Sequence, residues 1–388
     1  MQNPVMQEAA NFVEKITEQV RPLEKAFYLA EWEAAVTGSK EAIAQVREAQ
    51  VAYLRFWSDP ELFEAAKRLY EGEQADDPLL SRQLKLVYLA AARSQGFRDH
   101  FHRALLLDEI DEQELLVLFD DLEAQSREPF TRLKARIDKT LSSRFGVVEK
   151  ELAVATYTGL GMDVGSILSR SDLYPRPGKN QHAFCIDLDR EGDIRTLNNL
   201  QPTHRWAETL LHELGHGVYD QYVDASLPWL LRSPAHAFTT EAVATLMGSL
   251  TFDPEWYAGV LGIPEARARS IAASAFRGYR DKKLIFTRWC LTMTHFERLF
   301  YSDPEADLDK IWWDCVERYQ LLRRPDGRRA PDWAAKIHVV LFPVYYHNYE
   351  LGHLMVAQMR RRLEEQLPDF RWLTYDRSFL NIVDRGLL

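Results

Sequence analysis

The sequence predicts a mainly α protein, a single helical ellipsoid with a deep cleft and one small β-hairpin. Apolar residues recur at helical spacing, with charged residues on the opposite face, along most of the 388 residues. Hydrophobic residues make up 46% of the chain, which is enough for a large core. Because no linker or fixed repeat separates two regions, we expect one domain over residues 1–388. The cleft is expected between a helical N-terminal half, 1–160, and a C-terminal half, 161–388.

Helical periodicity predicts most of the elements in order. The N-terminal half is expected to form helices near 6–36, 38–57, 59–72, 78–95, 97–107, 111–125, 127–143 and 147–158. The C-terminal half is expected to form helices near 203–223, 239–250, 253–260, 263–278, 281–300, 304–321, 330–340, 343–365 and 376–385. Asp-Pro pairs at 59–60, 77–78, 253–254 and 303–304 indicate helix starts, because aspartate caps a helix and proline suits its first turn.

The segment 172–189 interrupts the helical pattern. Pro175, Pro177 and Gly178 disfavour a helix, and residues 183–188 alternate as an edge strand does. Residues 189–193 are typical of a turn, with a return strand near 194–198. Such a hairpin offers an edge to which an extended peptide can add as a further strand. The alternative is a surface hairpin without a role.

Residues 212–216 read His-Glu-Leu-Gly-His and lie on the predicted helix 203–223. Positions i and i+4 share one helix face, so His212 and His216 can bind the same metal ion. Glu213 lies one step round the helix, where its carboxylate can reach a water molecule at that metal. This spacing is that of a zinc peptidase with Glu213 as general base, provided that a third ligand exists.

Glu241 is the candidate third ligand. It lies 25 positions after His216, in the expected first turn of a helix that Thr239 or Thr240 can cap. Two helices joined by a loop of this length can pack antiparallel, which would bring Glu241 beside the histidines. The alternative is that Glu241 only complements the helix dipole. Because the cysteines form no CxxC pair, we expect one catalytic Zn²⁺ per chain, although cobalt and manganese accept the same ligands.

Three tyrosines and three histidines fall within residues 336–353. Tyr346 and Tyr349 are three apart, so both phenols can point into one cleft, and His338 lies just before their helix. Phenol and imidazole groups are suitable donors to an oxyanion. The alternative is an aromatic stripe that belongs to the core. Lys336 can pair with a substrate carboxylate or can be an ordinary surface lysine.

These motifs together resemble the helical gluzincins, zinc metallopeptidases that include thimet oligopeptidase, oligoendopeptidase F and the angiotensin-converting enzyme. The motif at 212–216, followed by Glu241 in Glu-Ala-Val-Ala, is similar to their two zinc-ligand helices. Residues 173–179 and 183–185 are similar to the oligoendopeptidase pattern that precedes the zinc helix. The resemblance covers roughly 165–355, and it implies a zinc peptidase whose deep substrate channel admits short peptides.

The resemblance also implies roles for further residues, which it assigns position by position. Tyr349 and His338 would stabilise the oxyanion and a nearby substrate carbonyl. His182 and Ala183 would pair with the substrate backbone. Lys336 and Tyr346 would hold the C-terminal carboxylate of the substrate.

Two positions depart from the pattern of the relatives. One extra residue between His338 and Tyr349 leaves Tyr345 and Tyr346 as alternatives for one role. Thr245 stands where relatives often have a carboxylate that orients a zinc ligand, so another group must do this. Oligoendopeptidase and dipeptidyl-carboxypeptidase action both stay open. A further alternative is a catalytically silent zinc- or peptide-binding protein of the same fold.

Composition argues against two classes of partner, nucleic acids and membranes. A net charge of −10 without a basic stripe argues against nucleic acid, and the absence of an 18-residue apolar run argues against a membrane span. The N-terminus lacks a secretory signal, and three scattered cysteines suit a reducing compartment, so we expect a cytoplasmic protein.

Overall fold

A computed structural model of the chain describes residues 4–72, 77–92, 100–137, 149–340 and 342–366. The prediction of a mainly α fold with one small hairpin is confirmed for these residues. They form α1 (Pro4–Thr37), α2 (Lys40–Trp57), α3 (Pro60–Glu71), α4 (Pro78–Ala91), α5 (His100–Leu107), α6 (Glu112–Ile137), α7 (Glu149–Gly159), α8 (Gly165–Arg170), β1 (Phe184–Asp187), β2 (Ile194–Leu197), α9 (His204–Gln221), α10 (Ala237–Ser249), α11 (Pro254–Gly259), α12 (Glu265–Ser302), α13 (Leu308–Cys315), α14 (Ile337–Val340) and α15 (Tyr346–Gln366).

Three of the four Asp-Pro pairs begin helices as predicted. The carboxylates of Asp59, Asp77 and Asp253 each accept a hydrogen bond from the amide two residues later, at 2.8–2.9 Å. The following proline occupies the first turn, where its missing amide hydrogen costs nothing. Asp303 is the exception, because α13 starts only at Leu308 and its cap is Asp307.

Two pairs of predicted helices are single helices in the structure. Helix α6 runs through Pro129, and α12 runs for 38 residues through the predicted break near Gly278. Helix α8 was not predicted, and short 3₁₀ helices follow α9 at Trp229–Leu231 and α10 at Leu250–Phe252. The predicted helix near 376–385 lies outside the described residues.

The described residues fall into two compact units, each built from separate stretches of chain. Unit 1 lies within Met1–Gly96, Asp163–Gln201 and Glu213–Ala235, and unit 2 within Phe97–Met162, Pro202–His212 and His236–Leu388. Helix α9 therefore contributes residues to both. The prediction of one catalytic domain over residues 1–388, with halves at 1–160 and 161–388, stays a prediction.

Each unit has its own hydrophobic core. In unit 1, α1, α3 and α4 bury apolar side chains together with Trp57 of α2 and the short helix around Trp229 and Leu230. In unit 2, α5, α6, α12 and α13 surround a core that Val339 and Val344 complete. Val339 belongs to α14 and Val344 lies just before α15, so this core anchors the segment that was predicted to hold catalytic residues.

Strands β1 and β2 form the predicted hairpin within unit 1. They pair antiparallel, with Phe184 opposite Leu197 and Asp187 opposite Ile194. Strand β2 also makes a bridge to Asp172 on its other side, whereas no described strand pairs with the outer edge of β1. The Sγ atom of Cys185 lies 3.6 Å from the position that a Cβ at Gly217 would occupy. The hairpin therefore packs directly against the second half of α9.

Among the described residues, no helix combines the length and the apolar character that crossing a membrane requires.

Candidate active site

Helix α9 positions the two histidines of the 212–216 motif. Leu210, Leu211, Leu214 and Val218 are buried and fix one face of the helix in the protein. Glu213 is also buried, with 7% of its surface exposed, whereas His212 and His216 are half-buried. The helix is fixed laterally as well, because the Tyr157 hydroxyl donates a hydrogen bond of 2.5 Å to the Leu211 carbonyl. The histidines thus project from a well-anchored helix.

Glu241 lies beside His212, as the antiparallel interpretation requires. The carboxylate Oε2 of Glu241 is 3.6 Å from Nε2 of His212. Further along α10, a Cβ at Gly248 would lie 3.1 Å from the carbonyl oxygen of Glu208, one turn earlier in α9. The two helices therefore run in opposite directions. His212, His216 and Glu241 each offer a ligand atom, and these atoms lie within 4.8 Å of one another.

The prediction that Thr239 or Thr240 caps α10 was wrong. The helix begins at Ala237 after His236, and Glu241 falls in its second turn with 2% of its surface exposed. A hydrogen bond of 2.8 Å between His236 Nδ1 and the carbonyl oxygen of Asp108 holds this helix start. A carboxylate in the second turn, buried and facing an imidazole, does not serve to complement a helix dipole, which acts at the first turn.

The electrostatics of the three residues suit a cation. Burial lowers the pKa of His216 to about 4, so the imidazole is neutral at pH 7, the form that binds metals. Burial raises the pKa of Glu241 to about 7, and a hydrogen bond from Tyr345 partly offsets this increase. A divalent cation beside Glu241 would compensate the desolvated carboxylate. Two imidazoles and one carboxylate are a donor set typical of zinc.

The hydroxyl of Tyr345 donates to Oε1 of Glu241 at 2.7 Å, a contact that sequence reasoning did not find. From the sequence, Tyr345 is only an alternative to Tyr346 for binding the substrate carboxylate. Thr245, one turn after Glu241, is buried on α10. No local signal links Tyr345 to Glu241, because the two residues are 104 positions apart.

His338 and Tyr349 are brought together as predicted. Nε2 of His338 lies 3.1 Å from the hydroxyl of Tyr349, and both side chains are half-buried. His338 belongs to α14, and Tyr349 lies in the first turn of α15. The ring of Tyr346 is 4.6 Å from that of His338 and also packs on the core of unit 2. The aromatic stripe is thus partly core at Tyr346, whereas Tyr349 lies outside that core cluster.

The other predicted substrate-binding residues lie at different places. Lys336 lies over the indole rings of Trp289 and Trp312, with Nζ 5.2 and 5.8 Å from the ring centroids. His182 and Ala183 come just before β1. The amide of His182 donates to Asn180 Oδ1 at 2.9 Å, and its side chain is exposed.

A buried polar network next to Tyr349 was also not predicted. Glu350 accepts a hydrogen bond of 2.9 Å from Thr287 and lies 3.6 Å from Nδ1 of His353. The other ring nitrogen of His353 is 2.6 Å from Nζ of Lys283, and burial lowers the pKa of this lysine to about 8. Glu350 and His353 are three positions apart, and Lys283 and Thr287 are four apart, so each pair lies on one helix face. This spacing is the sequence signal that could have indicated the network.

Comparisons with known proteins place these residues in a wider context. The sequence model of Peptidase family M3 matches residues 165–380, more than half of the chain. No curated protein matches the sequence significantly.

Solved structures show a similar fold. A crystal structure assigned as oligoendopeptidase F is 17% identical, has a TM-score of 0.60 and covers 94% of this chain and 68% of its own. The M32 carboxypeptidase from Deinococcus radiodurans R1 is 14% identical and has a TM-score of 0.67. The superposition covers 97% of this chain and 90% of the carboxypeptidase. A protein called CHT is also 14% identical and has a TM-score of 0.68. The superposition covers 96% of this chain and 91% of CHT.

Proposed function

Because the chain belongs to peptidase family M3, we propose that it is a zinc-dependent peptidase that hydrolyses short peptides with Glu213 as general base. The family makes the chain a peptide-bond hydrolase of the metallopeptidase class. The proposal depends on one observation above all. His212, His216 and Glu241 place three ligand atoms within 4.8 Å of one another, on helices fixed by the surrounding core.

The three residues fit one zinc ion per chain. They supply two imidazoles and a carboxylate and would leave one coordination position for water, as catalytic zinc sites do. When bound, zinc supplies a Lewis acid that polarises the scissile carbonyl and makes water acidic near neutral pH.

Glu213 is the proposed general base. It follows His212 directly on α9, so it shares the rigid anchoring of the ligand helix. Its carboxylate takes a proton from the attacking water and delivers it to the departing amine.

Tyr349 and His338 are the proposed donors to the tetrahedral oxyanion. Their separation of 3.1 Å brings both groups to one point. Val339, next to His338, and Tyr346, one turn before Tyr349, pack in the core of unit 2. Donors fixed in advance need no reorganisation as the negative charge develops, which is the main source of oxyanion stabilisation.

The outer edge of β1 is the proposed binding site for the substrate backbone. No described strand covers this edge, and β1 packs against the half of α9 that carries His216. A peptide added there would pass beside His182 and Ala183, which precede the strand.

Oligoendopeptidase and dipeptidyl-carboxypeptidase action remain two versions of this proposal. The similar folds include an oligoendopeptidase F and an M32 carboxypeptidase. Lys336 would bind a substrate C-terminal carboxylate together with Tyr346 in the second version. Its ammonium group already lies over two indole rings, an arrangement that leaves it able to accept an anion.

The decisive experiment measures metal content and peptide cleavage on the purified protein. We expect one zinc per chain and cleavage of a peptide pool that chelator abolishes and added zinc restores. Comparing one peptide with a free or an amidated C-terminus then separates the two versions, since equal rates would exclude carboxylate recognition by Lys336. Stoichiometric zinc without cleavage of any peptide would favour the silent binding protein, for which Thr245 is the motivating departure.

The cytoplasmic location is also part of the proposal. It rests on Cys185, Cys290 and Cys315, which are all free thiols.

A further inference from the structure

We propose that Tyr345 is a positioning residue that fixes which oxygen of Glu241 faces the metal, and that Glu297 holds Tyr345 in place. This inference rests on the proposed zinc site. It assigns the orientation of Glu241 to a tyrosine and a remote buried glutamate.

The two carboxylate oxygens of Glu241 have different neighbours. Oε1 accepts the hydrogen bond of 2.7 Å from Tyr345, whereas Oε2 is the oxygen 3.6 Å from His212. A carboxylate that binds through one oxygen needs a donor on the other, because otherwise it rotates about its terminal bond or binds through both. The phenol of Tyr345 therefore leaves Oε2 directed to the side of His212.

The backbone before α15 is strained where it presents Tyr345. Val344 has φ of 55°, a left-handed conformation that a β-branched residue rarely adopts. Such strain persists only where surrounding contacts enforce it, and it is concentrated at functional sites. Val344 is 4% exposed and belongs to the core of unit 2, so it cannot relax toward solvent.

Glu297 supplies the contact that enforces this conformation. Its Oε1 accepts a hydrogen bond of 2.7 Å from the amide of Val344, and the residue is fully buried on α12. Burial raises the pKa of Glu297 to about 8, so the side chain is a neutral acid near pH 7. The contacts thus connect α12 to the third metal ligand through Glu297, Val344 and Tyr345, in that order.

The test compares zinc affinity in Tyr345→Phe and Tyr346→Phe, measured by competition with a chromophoric chelator. Removing a group that orients a ligand typically weakens metal binding about 10–100-fold, and we expect a change of this size for Tyr345→Phe. Tyr346→Phe removes the neighbouring hydroxyl, whose ring packs on the core, and should leave zinc affinity unchanged. The melting temperature of the zinc-free protein should be similar in both variants.

Two further readouts separate positioning from other roles. Excess zinc should restore the kcat of Tyr345→Phe, whereas loss of an oxyanion donor would persist at saturating zinc. Glu297→Gln retains an oxygen that can accept from Val344 and should keep wild-type zinc affinity, while Glu297→Leu should weaken it in the same direction as Tyr345→Phe.

The outcomes also separate this inference from the proposed function. If the wild-type protein binds no zinc, the metal site itself is wrong. If wild type binds zinc and Tyr345→Phe binds it equally tightly, only the positioning role is wrong.

Discussion

Glu213 and Glu241 show how two buried glutamates on neighbouring helices can have different roles. The Oε1 atom of Glu241 accepts from Tyr345, and its Oε2 lies 3.6 Å from Nε2 of His212. Glu213 directly follows a candidate metal ligand and retains 7% exposure, compared with 2% for Glu241. A fixed carboxylate suits a ligand, and a more accessible one suits proton transfer.

Glu213→Gln should therefore separate catalysis from metal binding. The amide keeps the size of the side chain but cannot take a proton, so we expect kcat to fall by about 10²–10⁴ with unchanged zinc content. Glu208→Gln is the matched control on the same helix, because Glu208 is paired with Lys282 at 2.7 Å. Unchanged turnover in Glu213→Gln would remove this residue from the mechanism.

Tyr349→Phe tests whether this phenol is a catalytic donor or part of the core. Removing one oxyanion donor typically costs about 10²–10³ in kcat, and we expect a loss in this range with normal zinc content and melting temperature. A variant that is poorly folded, with a proportional loss of zinc, would instead assign Tyr349 to the aromatic packing around Phe286.

The sequence was informative at the residue scale wherever partners are close along the chain. His212 and His216 share a helix turn, so their spacing alone predicted the geometry that the structure has. The contact of Tyr345 with Glu241 joins residues 104 positions apart. Val344, directly before Tyr345, has a left-handed backbone. The sequence does not predict this conformation, because β-branched residues rarely adopt it.

At the scale of elements, α10 and α15 approach so closely that any side chain at position 352 would crowd α10. A Cβ there would lie 3.0 Å from the Cβ of Glu241 and 3.2 Å from the amide nitrogen of Ala242, both in α10. These two residues of α10 cannot easily move away from a new Cβ, because the Glu241 side chain is held by its hydrogen bond from Tyr345. The distance between these two helices thus determines where the third ligand stands.

Gly352→Ala should accordingly disturb both stability and the metal site. Overpacking a buried contact typically costs about 1–3 kcal/mol, and we expect weaker zinc binding in the same variant because Glu241 is displaced. Gly278→Ala is the control, since a Cβ at this exposed position in α12 meets nothing within 4 Å. It should stabilise the protein by about 0.5–1 kcal/mol through helix propensity. Equal effects of both substitutions on thermal unfolding and zinc affinity would contradict this account.

Helix boundaries were predictable where capping chemistry is local and failed where packing decides. Asp59, Asp77 and Asp253 cap their helices through contacts two residues away. The sequence predicted breaks at residue 126 and at 279–280, but α6 and α12 continue through both. Both helices line the core of unit 2, and burying their apolar faces outweighs the local cost of one unfavourable residue.

For the whole molecule, fold similarity extends further than the family match. Structures only 14–17% identical cover 94–97% of this chain, whereas the family model matches 165–380. Helices α1–α5 all lie before that match. Many apolar patterns satisfy the packing of such helices, so their sequences can diverge while the fold is kept. The proposed metal ligands and oxyanion donors require particular residue types, and they all lie within the matched region.

The buried ionisable groups together predict how the stability of the zinc-free protein depends on pH. Burial raises the pKa of Glu31 and of Asp220 to about 7, and that of Glu297 to about 8. In these groups the folded state retains protons that the unfolded state releases above about pH 4–4.5. Their contribution to stability is therefore complete below that pH and is lost as the pH rises through 7 and 8.

Two half-buried histidines act in the opposite direction at lower pH. Burial lowers the pKa of His216 and of His295 to about 4, so the unfolded state binds protons that the folded state does not between pH 4 and the ordinary histidine value of about 6.5. Their unfavourable effect disappears as the pH rises to about 6.5. The histidine and carboxyl contributions oppose each other up to that pH. Above it the carboxyl contribution continues to fall, and near pH 8 Lys283, whose pKa burial lowers to about 8, begins to act against it.

We therefore expect the zinc-free protein to lose stability between pH 6.5 and 8. Each raised carboxyl group can contribute a slope of up to about 1.4 kcal/mol per pH unit, so the loss should be large enough to lower the melting temperature by several degrees. The measurement is thermal unfolding in chelator at pH 6.5, 7.25 and 8, for the wild type and for Glu297→Gln. The variant has no proton to lose at this position, so its melting temperature should fall less over the same interval. A wild-type melting temperature that stays constant or rises toward pH 8 would contradict the protonated state of these buried acids, and with it the neutral Glu297 that holds Val344.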